Sequence, residues 1–180
     1  RLLAFSSINH VGFILLGIMS YELMSEGTIF FYLIIYLITI FGIFTVILNL
    51  RSSEGELTKI SELNGLRFSS RSKSIAMLVF LFSLAGIPPF AGFFAKFFIL
   101  SASINEGLYV LSIIAVISSV IAAFYYLSVI KNMFFNNKEE ELLLDNNKIG
   151  SVVFISSALI LTLFFFYPDP LINLVDGLFS

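Results

Sequence analysis

Five long apolar runs, residues 3–20, 28–50, 74–103, 108–130 and 149–167, leave this chain few ways to fold. An α-helix rises about 1.5 Å per residue, so roughly 20 apolar residues cross a hydrocarbon core about 30 Å thick. Each run is close to or above that length, which predicts an all-α polytopic membrane protein with five transmembrane helices, forming a single transmembrane domain over residues 1–180. Strands of a membrane barrel would be about ten residues long with strict apolar–polar alternation, and none of these runs alternates. Charged residues are only 12% of the chain, about half the share in a soluble domain, which excludes a soluble globular enzyme. The chain has no cysteine and one histidine, His10. Disulfides, thiolate metal sites and cysteine nucleophiles are excluded, and no histidine-rich metal site can be built. Redox cofactor chemistry must sit elsewhere.

The connections sort the basic residues. Arg1 precedes the first run; Arg51, Lys59, Arg67, Arg71 and Lys73 lie between the second and third; Lys131, Lys138 and Lys148 lie between the fourth and fifth. All nine fall on one side of the membrane, whereas the other side carries only acids: Glu22, Glu26, Glu106, Asp169 and Asp176. The positive-inside rule makes the basic side the cytoplasm, or the matrix of a mitochondrion, with the N-terminus inside and the C-terminus outside. An even number of crossings would scramble this sorting. The connection 51–73 admits two readings, a short helix resting on the membrane or a neighbour, or a solvated link. Residues 136–147 read as a polar surface loop. No solenoid-type repeat and no basic patch with interleaved aromatics occurs, so membrane lipid is expected as a partner and nucleic acid is not.

The third run breaks the rules for a crossing helix. It is about 30 residues long, and its middle reads Ser83-Leu84-Ala85-Gly86-Ile87-Pro88-Pro89-Phe90-Ala91-Gly92. Paired prolines remove two N–H donors and clash with the preceding turn, which predicts a discontinuous helix near the bilayer middle. Broken backbone at that depth is tolerated only where protein buries it or it lines a watery cavity, and transporters use such half-helices to place helix ends at an ion site. A simple kink is the alternative. Gly86 and Gly92 would let a helix or water approach the break.

Lys96, seven residues past Pro89 and flanked by Phe93, Phe94, Phe97 and Phe98, is the only charged residue inside any of the five runs. A lysine at this depth costs about 3 kcal/mol or more, so it should face the protein interior. Removed from water, its charged and neutral forms approach one another in free energy, which suits a proton carrier. The competing reading is snorkelling toward the interface near Ser103. His10 lies in the polar patch Ser6-Ser7-Ile8-Asn9-His10, and imidazole passes protons near neutral pH. A plain hydrogen bond to a neighbouring helix is its other reading. Ser118, Ser119, Tyr125 and Tyr126 in the fourth run read as helix packing and an interfacial aromatic belt, with hydroxyls along a hydrated path as the alternative. Thr39, Thr45 and Asn49 carry a weaker signal.

These residues carry a family resemblance. Arg1-Leu2-Leu3-Ala4-Phe5-Ser6-Ser7-Ile8-Asn9-His10-Val11-Gly12-Phe13, followed by Ser83 to Gly92 and then Phe93-Phe94-Ala95-Lys96-Phe97, resembles the chain 2 family of NADH:ubiquinone oxidoreductase, antiporter-like subunits in the membrane arm of respiratory complex I. Tyr125-Tyr126 and the closing Tyr167-Pro168-Asp169-Pro170-Leu171 also fit. The resemblance implies the C-terminal part of a fold built from inverted repeats with discontinuous helices. It further implies that Lys96 matches the lysine of the second broken helix and His10 the histidine of a Ser-Ser-Ile-x-His-x-Gly-Tyr/Phe motif, here ending in Phe13. The acid and lysines of the other half-channel are absent from these 180 residues.

The function so implied is a proton half-channel, with Lys96 and His10 as relay, in proton translocation coupled to NADH oxidation by ubiquinone. By the same resemblance this chain binds no cofactor, and NADH, FMN, iron–sulfur clusters and ubiquinone belong to other subunits. The expected partners are other membrane-arm subunits and a separate chain supplying the N-terminal half of the same subunit. Because Arg1 is not a start methionine and no secretory-type leader follows, the expectation is a chain that starts mid-protein or is one piece of a divided subunit. The abundance of Phe, Ile, Leu, Asn and Ser without Trp resembles the output of an AT-rich genome. That points to the mitochondrial inner membrane, with basic loops in the matrix; the bacterial plasma membrane is the alternative. Two further functions stay open: a sodium/proton antiporter subunit sharing the helical core, and a scaffold that does not pump.

Overall fold

The computed structural model describes residues 2–20, 26–51, 59–137, 143–144 and 148–166, and it is helical almost throughout. In order come α1 (Leu2–Met19), α2 (Glu26–Leu48), β1 (Leu50–Arg51), a 3-10 turn (Ile60–Leu63), the one-turn α3 (Leu66–Ser69), α4 (Arg71–Ala85), α5 (Ala91–Asn105), α6 (Tyr109–Phe135), β2 (Leu143–Leu144) and α7 (Lys148–Leu163). α1, α2 and α6 are each long and apolar enough to cross a membrane. The third predicted run is two 15-residue helices in tandem, α4 and α5, and α7 has 16 residues. Length alone therefore does not establish the fifth crossing. The resembling segment from Tyr167 to Leu171 and the acids Glu22, Asp169 and Asp176 lie outside the described residues.

Helices that are apolar on every side give no amphipathic face to choose a core, so close approach and polar contacts decide who packs on whom. α2 stands at the centre, touching α1, α4, α5 and α7, while α6 lies across α4, α1 and α5. Its crossing with α4 depends on Gly42: a Cβ there would sit 2.3 Å from the Phe80 ring. Ile43, Phe80, Ile99, Met133 and Leu161 are fully buried in one cluster spanning α2, α4, α5, α6 and α7. On α6, Val110, Ile113, Ile117, Val120 and Phe124 face outward, as expected of a side turned to lipid or a partner helix.

Two of the connections carry structure of their own. Of the two readings of 51–73, the described part supports the short helix resting on a neighbour. Leu63 and Leu66 are buried, Gly65 takes a left-handed conformation (φ 67°), and its N–H donates to the Asn132 carbonyl at 3.1 Å, so the segment folds back onto the end of α6. Within the expected surface loop 136–147, Leu143 and Leu144 pair antiparallel with Arg51 and Leu50, tying the end of α2 to the approach to α7. Leu2 and Ile60 line one groove, so the N-terminus of α1 lies at the same end as these connections. Lys73 lies at the basic end, as charge sorting expects, but inside the protein. It is buried, and its Nζ donates to the Asn49 carbonyl at 2.7 Å, capping α2.

Candidate functional site

α4 ends at Ala85 because of its sequence. Gly86 adopts a left-handed conformation (φ 78°), its N–H donates to the Phe82 and Ser83 carbonyls, and the Ile87 N–H reaches Phe82 at 3.1 Å. This Schellman closure satisfies two of the final carbonyls. The next two, Leu84 and Ala85, would bond the N–H groups of residues four further on, and those are Pro88 and Pro89, which have none. The prolines thus leave two acceptors orphaned inside the protein. α5 then begins at Ala91, held against the end of α4 so tightly that a Cβ on Gly92 would lie 2.0 Å from the Ser83 carbonyl oxygen.

Lys96 supplies what the prolines removed. Side chains on a helix lean toward its N-terminus, so from the second turn of α5 Lys96 reaches back to the break. Its Nζ donates to the Leu84 carbonyl at 2.8 Å, the Ala85 carbonyl at 3.4 Å and the Ser119 Oγ of α6 at 2.8 Å, and it lies 5.2 Å from the centre of the Phe13 ring. The three N–H bonds of an ammonium are accounted for. The negative end of the α4 dipole favours a cation at this point. With 5% of its surface exposed, Lys96 does not snorkel. The aliphatic stem passes beside Gly86, where a Cβ would be 3.0 Å from Lys96 Cδ. The left-handed turn and the lysine's passage both require glycine there.

His10 is 4% exposed and faces the same interior. Its Nδ1 shares a 2.7 Å hydrogen bond with Tyr32 Oη, and its ring stacks on Tyr36 at 4.7 Å between centroids. His10, Lys96, Tyr32, Tyr36, Thr39 and Ser83 line a cavity of about 10 Å³, near the space one water needs. His10 Nε2 and Ser83 Oγ, both buried, have no hydrogen-bond partner among the described residues. Two protonatable side chains from different helices therefore share one small chamber beside a broken helix.

Sequence reasoning missed Tyr32 and Tyr36, whose signal was two tyrosines four residues apart in a Phe-rich run. It also undervalued the fourth run. Ser119 binds Lys96 and Tyr126 bonds Ser6, whereas Ser118 bonds only the carbonyl of Ala115 and Tyr125 is exposed, as packing and an aromatic belt would have it. Thr39 and Thr45 bond backbone carbonyls of their own helix.

A polytopic helical bundle with a discontinuous helix and a buried lysine at the break is the class that fold and site define. Residues 1–122 match the family described as NADH:quinone oxidoreductase/Mrp antiporter, TM, and the chain belongs to this family. It is 45% identical over 121 residues to NADH-quinone oxidoreductase subunit N of Rhodospirillum rubrum, covering 67% of this chain and 25% of that one. Subunit N of Paramagnetospirillum magneticum is 44% identical over 121 residues, with 67% and 25% covered. The chain spans about a quarter of the length of these curated relatives. In each, the matched segment is part of one longer chain, which gives no support to the expectation of a separate chain for the N-terminal half. A solved chain titled as respiratory complex I from Thermus thermophilus with bound aureothin superimposes with a TM-score of 0.81 at 24% identity, covering 95% of this chain and 38% of that one, and shows the shared fold. The expected family is thus borne out, as is the expected helical, antiporter-like fold.

Proposed function

We propose that this chain is the lysine-bearing C-terminal part of a membrane-arm subunit in an NADH:quinone oxidoreductase, relaying protons through Lys96 and His10. The observation that carries the reading is the ligand set of Lys96: two carbonyls orphaned by Pro88 and Pro89, plus one hydroxyl, in a chamber shared with His10. Such a lysine can exist charged or neutral without rebuilding its surroundings. As an ammonium it donates three bonds; as an amine it keeps two donations to carbonyls and accepts from the Ser119 hydroxyl, which reverses by rotation.

The drive is electrostatic. A unit charge moving at about 8 Å in a medium of effective dielectric about 20 changes the energy of a charged Lys96 by about 2 kcal/mol, more than tenfold in proton occupancy. Charge displacement in an adjoining part of the complex thereby loads or empties Lys96, with the chamber joining it to His10. In this reading NADH, FMN, iron–sulfur clusters and quinone are bound by other subunits, and this chain neighbours other membrane-arm subunits and lipid. Composition supports the mitochondrial inner membrane, with the basic end in the matrix; the relatives named above are bacterial. The family also includes Mrp antiporters, and the subunit N relatives weigh toward the oxidoreductase. The test is a native gel of solubilised source membranes, stained for NADH oxidation and searched by mass spectrometry. Peptides of this chain in the active band are expected. Their absence from every NADH-oxidising band, with the chain found in another assembly, would refute the reading in favour of an antiporter.

A further inference from the structure

Three tyrosines converge on the half of α1 between His10 and its N-terminus. Tyr126 of α6 hydrogen-bonds Ser6, Tyr36 of α2 donates to Ser7 Oγ at 2.8 Å, and Tyr32 holds His10. Ser7 in turn donates to the Leu3 carbonyl at 3.0 Å. Positions 3, 6, 7 and 10 share one face of a helix, so the Tyr36–Ser7 and Tyr126–Ser6 pairs stand side by side one turn from His10 toward the N-terminus of α1. Their lower end meets a groove of about 690 Å³ bordered by Ser6, Tyr126, Leu2 and Ile60, which reaches the basic-end connection. Packing alone asks only for rings and methyl groups here. Two hydroxyl pairs between a buried histidine and a groove that opens toward one membrane face are what a proton passage asks for.

We propose that this hydroxyl ladder is the passage by which the Lys96–His10 centre exchanges protons with the basic end of the bundle, with Tyr36, Ser7, Tyr126 and Ser6 as its carriers. The inference rests on the relay reading above and adds its route and its side. The upper link is a water in the chamber that His10 Nε2 and Ser83 Oγ border, both buried and unpartnered. Outward, imidazolium gives a proton to that water, which releases one of its own to Tyr36 Oη. Tyr36 passes its hydroxyl proton to Ser7 Oγ, Ser7 turns its own proton from the Leu3 carbonyl to the adjoining Ser6–Tyr126 pair, and that pair releases one of its protons to water in the groove. Every oxygen ends neutral, as many O–H bonds form as break, and one proton has left His10. Rotation of the hydroxyls resets the path.

The experiment uses vesicles of the source membrane holding the assembled complex, with protons moved per NADH oxidised as the readout. Assembly on native gels and NADH oxidation by an artificial acceptor serve as controls. Tyr36→Phe with Tyr126→Phe keeps both rings and removes both hydroxyls. The expected result is a fall in proton yield to the level of Lys96→Met, with assembly and acceptor reduction retained. Ser7→Ala is expected to lower the yield with assembly and acceptor reduction retained, which loss of a purely structural bond would not do, and Ser7→Thr, which keeps the hydroxyl, to restore it. Wild-type proton yield in the tyrosine pair beside an impaired Lys96→Met overturns the ladder and leaves the centre standing. Wild-type yield in Lys96→Met overturns the centre itself. If the tyrosine pair fails to assemble, the Ser7 variants decide alone: unchanged yield in Ser7→Ala overturns the ladder.

Discussion

Replacing Lys96 by Met sets two buried costs against each other. The variant leaves the Leu84 and Ala85 carbonyls without the donor that Nζ supplied at 2.8 and 3.4 Å. An unsatisfied buried acceptor costs about 1–3 kcal/mol, and the longer bond belongs at the lower end of that range, which gives a loss of about 2–4 kcal/mol. In return, the ammonium no longer has to be held away from water, a relief of about 3 kcal/mol. The methionine also fills most of the stem's volume beside Gly86 and Phe13. The terms cancel to within about 1–2 kcal/mol, so the complex is expected to assemble. Function does not cancel, because no exchangeable proton remains at the break. Proton yield per NADH in membrane vesicles should fall while NADH oxidation by an artificial acceptor continues. Lys96→Arg sharpens the test: guanidinium keeps charge and donors but never releases its proton, so it too should fail to pump. Normal proton yield in both assembled variants would falsify the assignment of Lys96 as a carrier.

Three further outcomes follow from the packing. Gly92→Ala should abolish assembly on native gels, since its Cβ would land 2.0 Å from the Ser83 carbonyl oxygen, a backbone atom that cannot move aside, at a cost of about 3 kcal/mol or more. Ser119→Ala removes the side-chain partner at 2.8 Å from Lys96 and should reduce proton yield severalfold with assembly intact, while Ser119→Thr recovers it. Lys73→Met removes the cap on the Asn49 carbonyl and should lower the thermal stability of the complex by about 1–3 kcal/mol without changing proton yield, read by heating solubilised complex before the native gel.

The break between α4 and α5 was legible because proline acts locally: Pro88 and Pro89 lack N–H groups in any surroundings, so the position of the discontinuity needed no tertiary information. Lys96 was legible for a similar reason, since a charge inside an apolar run must be accommodated wherever the run packs. Its ligands were not. That Ser119 and not Ser118 meets the lysine depends on the rotation of α6, and a helix apolar on all sides writes no periodic face into its sequence. The same blindness hid Tyr32 and Tyr36 in α2. Charge sorting placed Lys73 correctly at the basic end but says nothing of its burial, because the rule counts charges per connection and cannot see that the end of α2 needs a donor.

The kind of ligand around Lys96 decides what can control it. Among the described residues its hydrogen-bond partners are two backbone carbonyls and a hydroxyl, none of them a carboxylate. An adjacent carboxylate at about 4 Å would favour the charged lysine by about 4 kcal/mol at an effective dielectric of 20, twice what a unit charge at about 8 Å can supply. A lysine paired in that way would stay charged whatever moved nearby. Neutral acceptors favour the cation enough to keep it folded inside, yet they leave a margin that a distant charge can cross. The paired prolines therefore do two jobs with one sequence feature. They break the helix, and they expose backbone acceptors that hold the lysine proposed as a proton carrier without fixing its charge.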